Sequence, residues 1–141
     1  MSAPGISFQV ASQMLQVLLN SIDTGAGTAT LEIRAGAPPA TVDDTATGAI
    51  LAIFALPNPS FGLPADANPN AVATAAPVAP ANAIGTGVAG WFRVYNRDGL
   101  AVHQGDVTET GNGGDAIISD ENVVAGAELT VISWTITQPE S

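Results

Sequence analysis

The chain's one histidine, His103, lies in GVAGWFRVYNRDGLAVHQGDV (residues 87–107), which also holds Trp91, Phe92 and Tyr95 of seven aromatics and Arg93 and Arg97 of three arginines. A histidine is the side chain best suited to proton transfer or metal binding near neutral pH. A transition-metal site would need a second histidine or a cysteine, and the sequence has neither. No GxSxG elbow accompanies it, so a Ser-His-Asp triad has no ordered serine to build on. A lone histidine near an arginine on a strand reads as a surface residue.

Carboxylates are the other chemical resource. Asp43 and Asp44 are adjacent, and Asp115, Asp120, Glu121 and Glu128 gather towards the C-terminus. Paired carboxylates hydrolyse glycosides when a cleft fixes their separation, but few aromatics are present to stack a sugar. A calcium ion on Asp120, Glu121 and nearby carbonyls is one reading; the spacing matches no EF-hand loop, and solvated acidic loops account for it more simply. GNGGD (111–115) lacks the lysine and the following helix of a phosphate loop. The expectation is a non-enzymatic protein with no cofactor and no metal.

Charge narrows the partners. Thirteen acids face three arginines and no lysine, giving a net charge of −10. Such a chain repels phosphate backbones, which excludes direct nucleic-acid binding as an expectation. Charged residues make up only 11% of the chain, below the usual quarter, so the surface is either plainly polar or covered by partners. The N-terminal segment has no basic n-region, and Gln9, Gln13 and Gln16 interrupt its apolar residues. It does not read as a signal peptide, and no run is long enough for a membrane span. The expectation is a soluble protein made in the cytoplasm, with no membrane partner.

These residues must be held by elements, and 141 residues suit a single domain, 1–141. Over 7–23, Phe8, Ala11, Met14, Leu15, Leu18 and Ile22 recur at three- and four-residue spacing and predict one face of a helix. Ser7 is its N-cap, and Gly25 or Gly27 ends it. From residue 29 the period becomes two. TATLEIRA (28–35) reads as a half-exposed strand, and AILAIFAL (49–56), apolar on both faces, as a central strand. The segment 57–87 carries Pro57, Pro59, Pro64, Pro69, Pro77 and Pro80, which excludes a run of central strands, although AVATA (71–75) suits a short edge strand. It is either an extended arm that touches a partner, with Phe61 as anchor, or a meandering surface loop. Residues 88–137 supply a hairpin and the last strands. ELTVISWTIT closes the domain, with Leu129 and Val131 on one face and Ile132, Trp134 and Ile136 on the other. The sum is a mainly β fold: an antiparallel β-sandwich or partly closed barrel of six or seven strands with one N-terminal helix.

Asn96-Arg97-Asp98-Gly99 has the composition of a type I turn followed by a left-handed glycine. That three-residue loop pairs Tyr95 with Ala101, Val94 with Val102 and Arg93 with His103, and is preferred to a two-residue Asp-Gly turn, which would pair Val94 with His103 and Tyr95 with Val102. Phe92, Val94 and Val102 then face the core, and Trp91, Arg93, Tyr95 and His103 face outwards. Two readings of the outward set stand side by side. It is a protein interface, since Trp, Tyr and Arg dominate hot spots; or Arg93 stacks on Trp91 or Tyr95 beneath a neighbouring loop.

The order of segments, an N-terminal helix, then LEIRAG, GAILAIFALPNPSFG, ANAIGTGVAGWFRVYNRDGLAVHQGDV and ELTVISWTITQP, resembles small virion structural proteins of tailed bacteriophages, of the capsid decoration (cement) type. The resemblance covers nearly the whole chain and is most specific at GWFRVY with its Asp-Gly turn and at LPNPSFG. It implies a β-rich protein on the outer surface of the capsid, bound to the major capsid protein, self-associated as a trimer, and stabilising the head. A tail or host-adsorption component is the alternative, and a cell-wall glycosidase a distant third.

Overall fold

The computed structural model describes residues 5–66, 70–109 and 115–139. It is mainly β, with 44% of residues in strands and one helix, and is sandwich-like with a mixed sheet. Helix α1 (Phe8–Ile22) begins where Ser7, in extended conformation, accepts the Val10 amide on its Oγ at 3.2 Å. The expected N-cap is therefore formed. The helix stops at Asp23 rather than at a glycine: the Asp23 amide donates to Leu19 O, and its carboxylate accepts the Ser60 amide and hydroxyl at 3.1 and 2.8 Å. Ala11, Leu15, Leu19 and Ile22 are buried. Met14, expected among them, is 49% exposed, and Leu19 takes its place. Two apolar stripes share this helix, and spacing alone does not say which one meets the sheet.

Seven strands have three or more residues: β1 (Thr30–Ala35), β2 (Ile50–Ala55), β4 (Asn70–Thr74), β6 (Gly87–Tyr95), β7 (Ala101–Glu109), β8 (Ala116–Ile118) and β11 (Val131–Pro139). Two-residue pieces, β3 (Ala65–Asp66), β5 (Ala81–Asn82), β9 (Asn122–Val123) and β10 (Glu128–Leu129), complete the set. The main order is β2-β1-β6-β7-β8-β11-β4-β3, with β9 beside β6 and β5 paired with β10. All described pairs are antiparallel except β7 with β8, which is parallel.

Three local expectations change. β2 ends the sheet instead of lying at its centre, and Ile53 is 40% exposed, while Leu51, Ala52 and Phe54 are fully buried; the Ile84 amide donates to Leu51 O at 2.8 Å. Among the described residues of 57–87, Phe61, Ala71, Ala73 and Ala83 enter the core, so these parts are not a surface loop, and β4 pairs with both β11 and β3 and is not the edge strand expected for AVATA. In the last strand the register shifts between Val131 and Ser133, so Ile132 is exposed while Trp134 and Ile136 stay buried.

The sheet curls. Phe92 on β6 and Trp134 on β11 are separated by β7 and β8, roughly 14 Å in a flat sheet at the usual strand spacing. Their ring centroids are nonetheless 5.6 Å apart, edge to face. Closing the concave side in this way lets Leu31, Ile33, Phe54, Phe92 and Trp134 share one core with the buried side of α1, which packs on β4, β11 and β7.

Candidate functional site

The hairpin β6–β7 begins as its turn chemistry requires. Gly99, at φ +83°, donates to Asn96 O at 3.0 Å, the Asn96 amide donates to Leu100 O at 2.8 Å, and Tyr95 pairs with Ala101. The Asn96 side chain accepts the amides of Asp98 and Leu100, both at 3.0 Å, which closes the loop from inside. The turn then docks on the segment after α1. Arg97 exchanges backbone hydrogen bonds with Thr24 and Gly27, and a Cβ on Gly25 would stand 2.6 Å from the Asp98 amide nitrogen. Only glycine fits there.

One pair further along, the register departs from expectation. A bulge lies between the Tyr95 and Val94 pairs, so Val94 pairs with His103, Arg93 with Gln104 and Trp91 with Asp106. One extra residue on a strand transfers every later side chain to the other face. His103 consequently lies 5.8 Å from the Phe92 ring, half-buried, and not beside Arg93. Burial lowers its pKa from the usual value, partly offset by the negative charge of Asp115.

The side of the sheet that holds Arg93 is covered. Residues 37–48, between β1 and β2, cross it as a strap whose own side chains are largely exposed. The Arg93 guanidinium donates to Asp44 O at 2.7 Å, to Thr41 O at 3.3 Å and to Gln104 Oε1 at 2.9 Å. Gln104 in turn donates to Pro39 O at 2.9 Å. Arg93 stands 5.3 Å over the Trp91 ring, within cation–π range. Beside them Arg34 pairs with Glu32 and donates to Gly48 O.

Trp91 is fully buried and Arg93 is 3% exposed. The outward aromatic and cationic face expected from the sequence is therefore not formed; the alternative, Arg93 stacked on Trp91 under a loop, is the observed arrangement. Tyr95 is half-buried at the end of β6. Phe61, expected as an anchor for a partner, is 5% exposed and meets Trp134 edge to face at 4.6 Å. The five candidate residues are thus divided: Trp91 and Arg93 lie beneath the strap, while Phe61 is in the core and His103 sits against Phe92.

Several of the acids accept backbone amides, two of them within local turns and the others between segments. Asp44 accepts the Thr41 amide, Asp120 accepts that of Asn122, and Asp115 accepts that of Asp106. Glu109 and Glu121 each accept the other's backbone amide, at 3.0 and 3.3 Å. Among the described residues no group of three or more His, Cys, Asp or Glu gathers as a metal site. A cavity of about 120 Å³ lies between Asp120, Asn122, Val124, Glu128 and Leu129. That volume is well below the ~300–1,000 Å³ of small-molecule pockets. Most of the GNGGD turn falls outside the described residues.

Sequence reasoning passed over the exposed aliphatic residues. Val10, Met14 and Val17 on α1 are 41%, 49% and 67% exposed, and Leu63, Ile84, Val88 and Val124 lie open on strands and loops. The signal was available in the helix, where residues 10, 14 and 17 have helical spacing of their own. Among the described residues no helix is long and apolar enough to cross a membrane. Comparison with known protein families, curated proteins and solved structures finds no match.

Proposed function

We propose that the chain is a non-enzymatic virion structural protein that binds the outer surface of a tailed-phage capsid lattice through the major capsid protein and stabilises the head. The supporting observation is the surface: large aliphatic side chains stand exposed on an acidic chain with few charges and no lysine. Exposed apolar side chains gain from burial against another protein. A chain with no lysine, three arginines and a net charge of −10 repels the packaged nucleic acid. The resemblance of the segment order to decoration proteins supplies the identity of the partner and implies a trimer. Many identical weak contacts on a lattice add through multivalency, so no single contact needs to be strong.

Copy number in purified particles, together with binding of recombinant protein to empty expanded heads, tests this reading. Hundreds of copies and saturable binding are expected. A few copies per particle without head binding would overturn it in favour of a tail or adsorption role.

A further inference from the structure

The strap, residues 37–48, is attached to the sheet in an unusual way. None of its residues is buried. It is held through its main chain: Pro39 O accepts from Gln104, Thr41 O and Asp44 O from Arg93, and Gly48 O from Arg34. Its two ends meet, the Ala35 amide donating to Ala49 O at 3.1 Å, and a glycine of positive φ stands at each end, Gly36 at +88° and Gly48 at +83°. A compact loop with closed ends and no apolar anchor swings away at low cost while the strands below stay paired.

What lies under it points to a ligand. Trp91 is fully buried yet outside the main hydrophobic core, on the opposite side of β6 from Phe92 and Val94. Its Nε1 and the Nε of Arg93 are buried donors to which the strap offers no acceptor. Arg34 is paired with Glu32, so the Arg93 hydrogen bonds end only on neutral oxygens. Asp106, opposite Trp91 on β7, is exposed, and water screens its charge.

We propose that the strap is a lid over a carboxylate-binding site formed by Arg93, Trp91 and Gln104. A carboxylate engages an arginine bidentately, and the side-on approach uses Nε–H with one Nη–H. The strap carbonyls occupy only the Nη donors. Replacing them by a carboxylate adds the Nε bond and sets an anion against the cation. The Trp91 indole N–H is a further donor, and so is Gln104 Nε2 once it leaves Pro39 O. With Arg34 and Glu32 cancelling, the one remaining positive charge matches a monoanion, whereas a phosphate dianion is repelled by a chain of −10. The lid takes Asp43 and Asp44 with it when it lifts.

Nuclear magnetic resonance on the isotope-labelled full chain tests this without any capsid, so its outcome is separate from that of the head-binding experiment. The Trp134 indole is the control, since it is 1% exposed, equally without an acceptor, and inside the main core. The Trp91 indole N–H should exchange with solvent at least about a hundredfold faster than that of Trp134, because local opening costs less than global unfolding. Gln104→Ala, which removes the Pro39 anchor, should speed Trp91 exchange further and leave Trp134 unchanged. In the unaltered protein, sodium acetate titrated against sodium chloride at equal ionic strength should shift the Trp91 indole signal saturably. N-acetyl-triglycine should do so at lower concentration than acetate if the carboxylate belongs to a polypeptide, and at the same concentration if a free carboxylate suffices; its C-terminal amide should leave the signal in place. Equal exchange at the two indoles overturns the lid. Fast exchange at Trp91 without a saturable shift, or an equal shift from chloride or from the amide, overturns the carboxylate site.

Discussion

Arg93 shows how one side chain holds a long connection in place. Three of its guanidinium hydrogen bonds end on Thr41 O, Asp44 O and Gln104 Oε1, and its nearest aromatic is Trp91. Hydrogen bonds from a charged donor are worth more than neutral ones, and a buried cation is tolerated only when it is so engaged. Arg93→Ala should therefore lower folding stability by about 2–4 kcal/mol, and Trp91→Ala by about 3–5 kcal/mol, both read from urea unfolding. A variant that keeps full stability while losing a binding activity would show these residues at a surface. The Nε1 of Trp91 and the Nε of Arg93 are buried without a protein acceptor, and each adds a desolvation cost to the same small region.

At the level of elements, the β6–β7 hairpin is set by two devices that act at different distances. The Asn96–Gly99 turn fixes the first pairs through backbone conformation, and the bulge resets everything beyond them. Gly99 has φ +83° with open space around its Cβ position, so an alanine there meets conformational strain and no clash. Gly99→Ala should cost about 1 kcal/mol in thermal or urea unfolding with the fold unchanged. An unaltered midpoint would mean that the turn does not need its left-handed residue. The strap over the sheet is an element of the opposite kind. Its conformation comes from what lies beneath it, since Arg93 and Gln104 supply its anchors from β6 and β7.

Across the whole molecule, the one histidine couples folding to pH. Burial lowers its pKa, so the unfolded chain binds a proton more readily than the folded one. Stability supplied by neutral His103 is therefore present above the unfolded value of about 6.5 and is lost as the pH falls below it towards the lower folded value. His103→Gln should flatten this part of the pH dependence in thermal unfolding between neutral and mildly acidic solution. Equal slopes for the two proteins would place the histidine in water.

Much of the local structure was legible in the sequence. The Ser7 cap and the 8–22 helix follow from side-chain chemistry and helical spacing, and the Asn96–Gly99 turn from residues that favour a left-handed glycine. Seven strands of three or more residues agree with the six or seven expected, because a strand's apolar pattern is a property of each segment alone, whereas the two-residue pieces β3, β5, β9 and β10 are too short to show one. The candidate interface was not legible in the same way. Trp91 and Arg93 were recognisable as an aromatic and cationic pair, but whether solvent or chain covers them depends on residues 37–48, about fifty positions earlier. The face of His103 depends on a bulge that no turn residue announces, and the burial of Phe61 on the distant Trp134. Local conformational preference and periodicity act over a few residues and determine the elements. Which apolar stripe of α1 meets the sheet and which stays open is decided only when the curled sheet presents one surface to pack against.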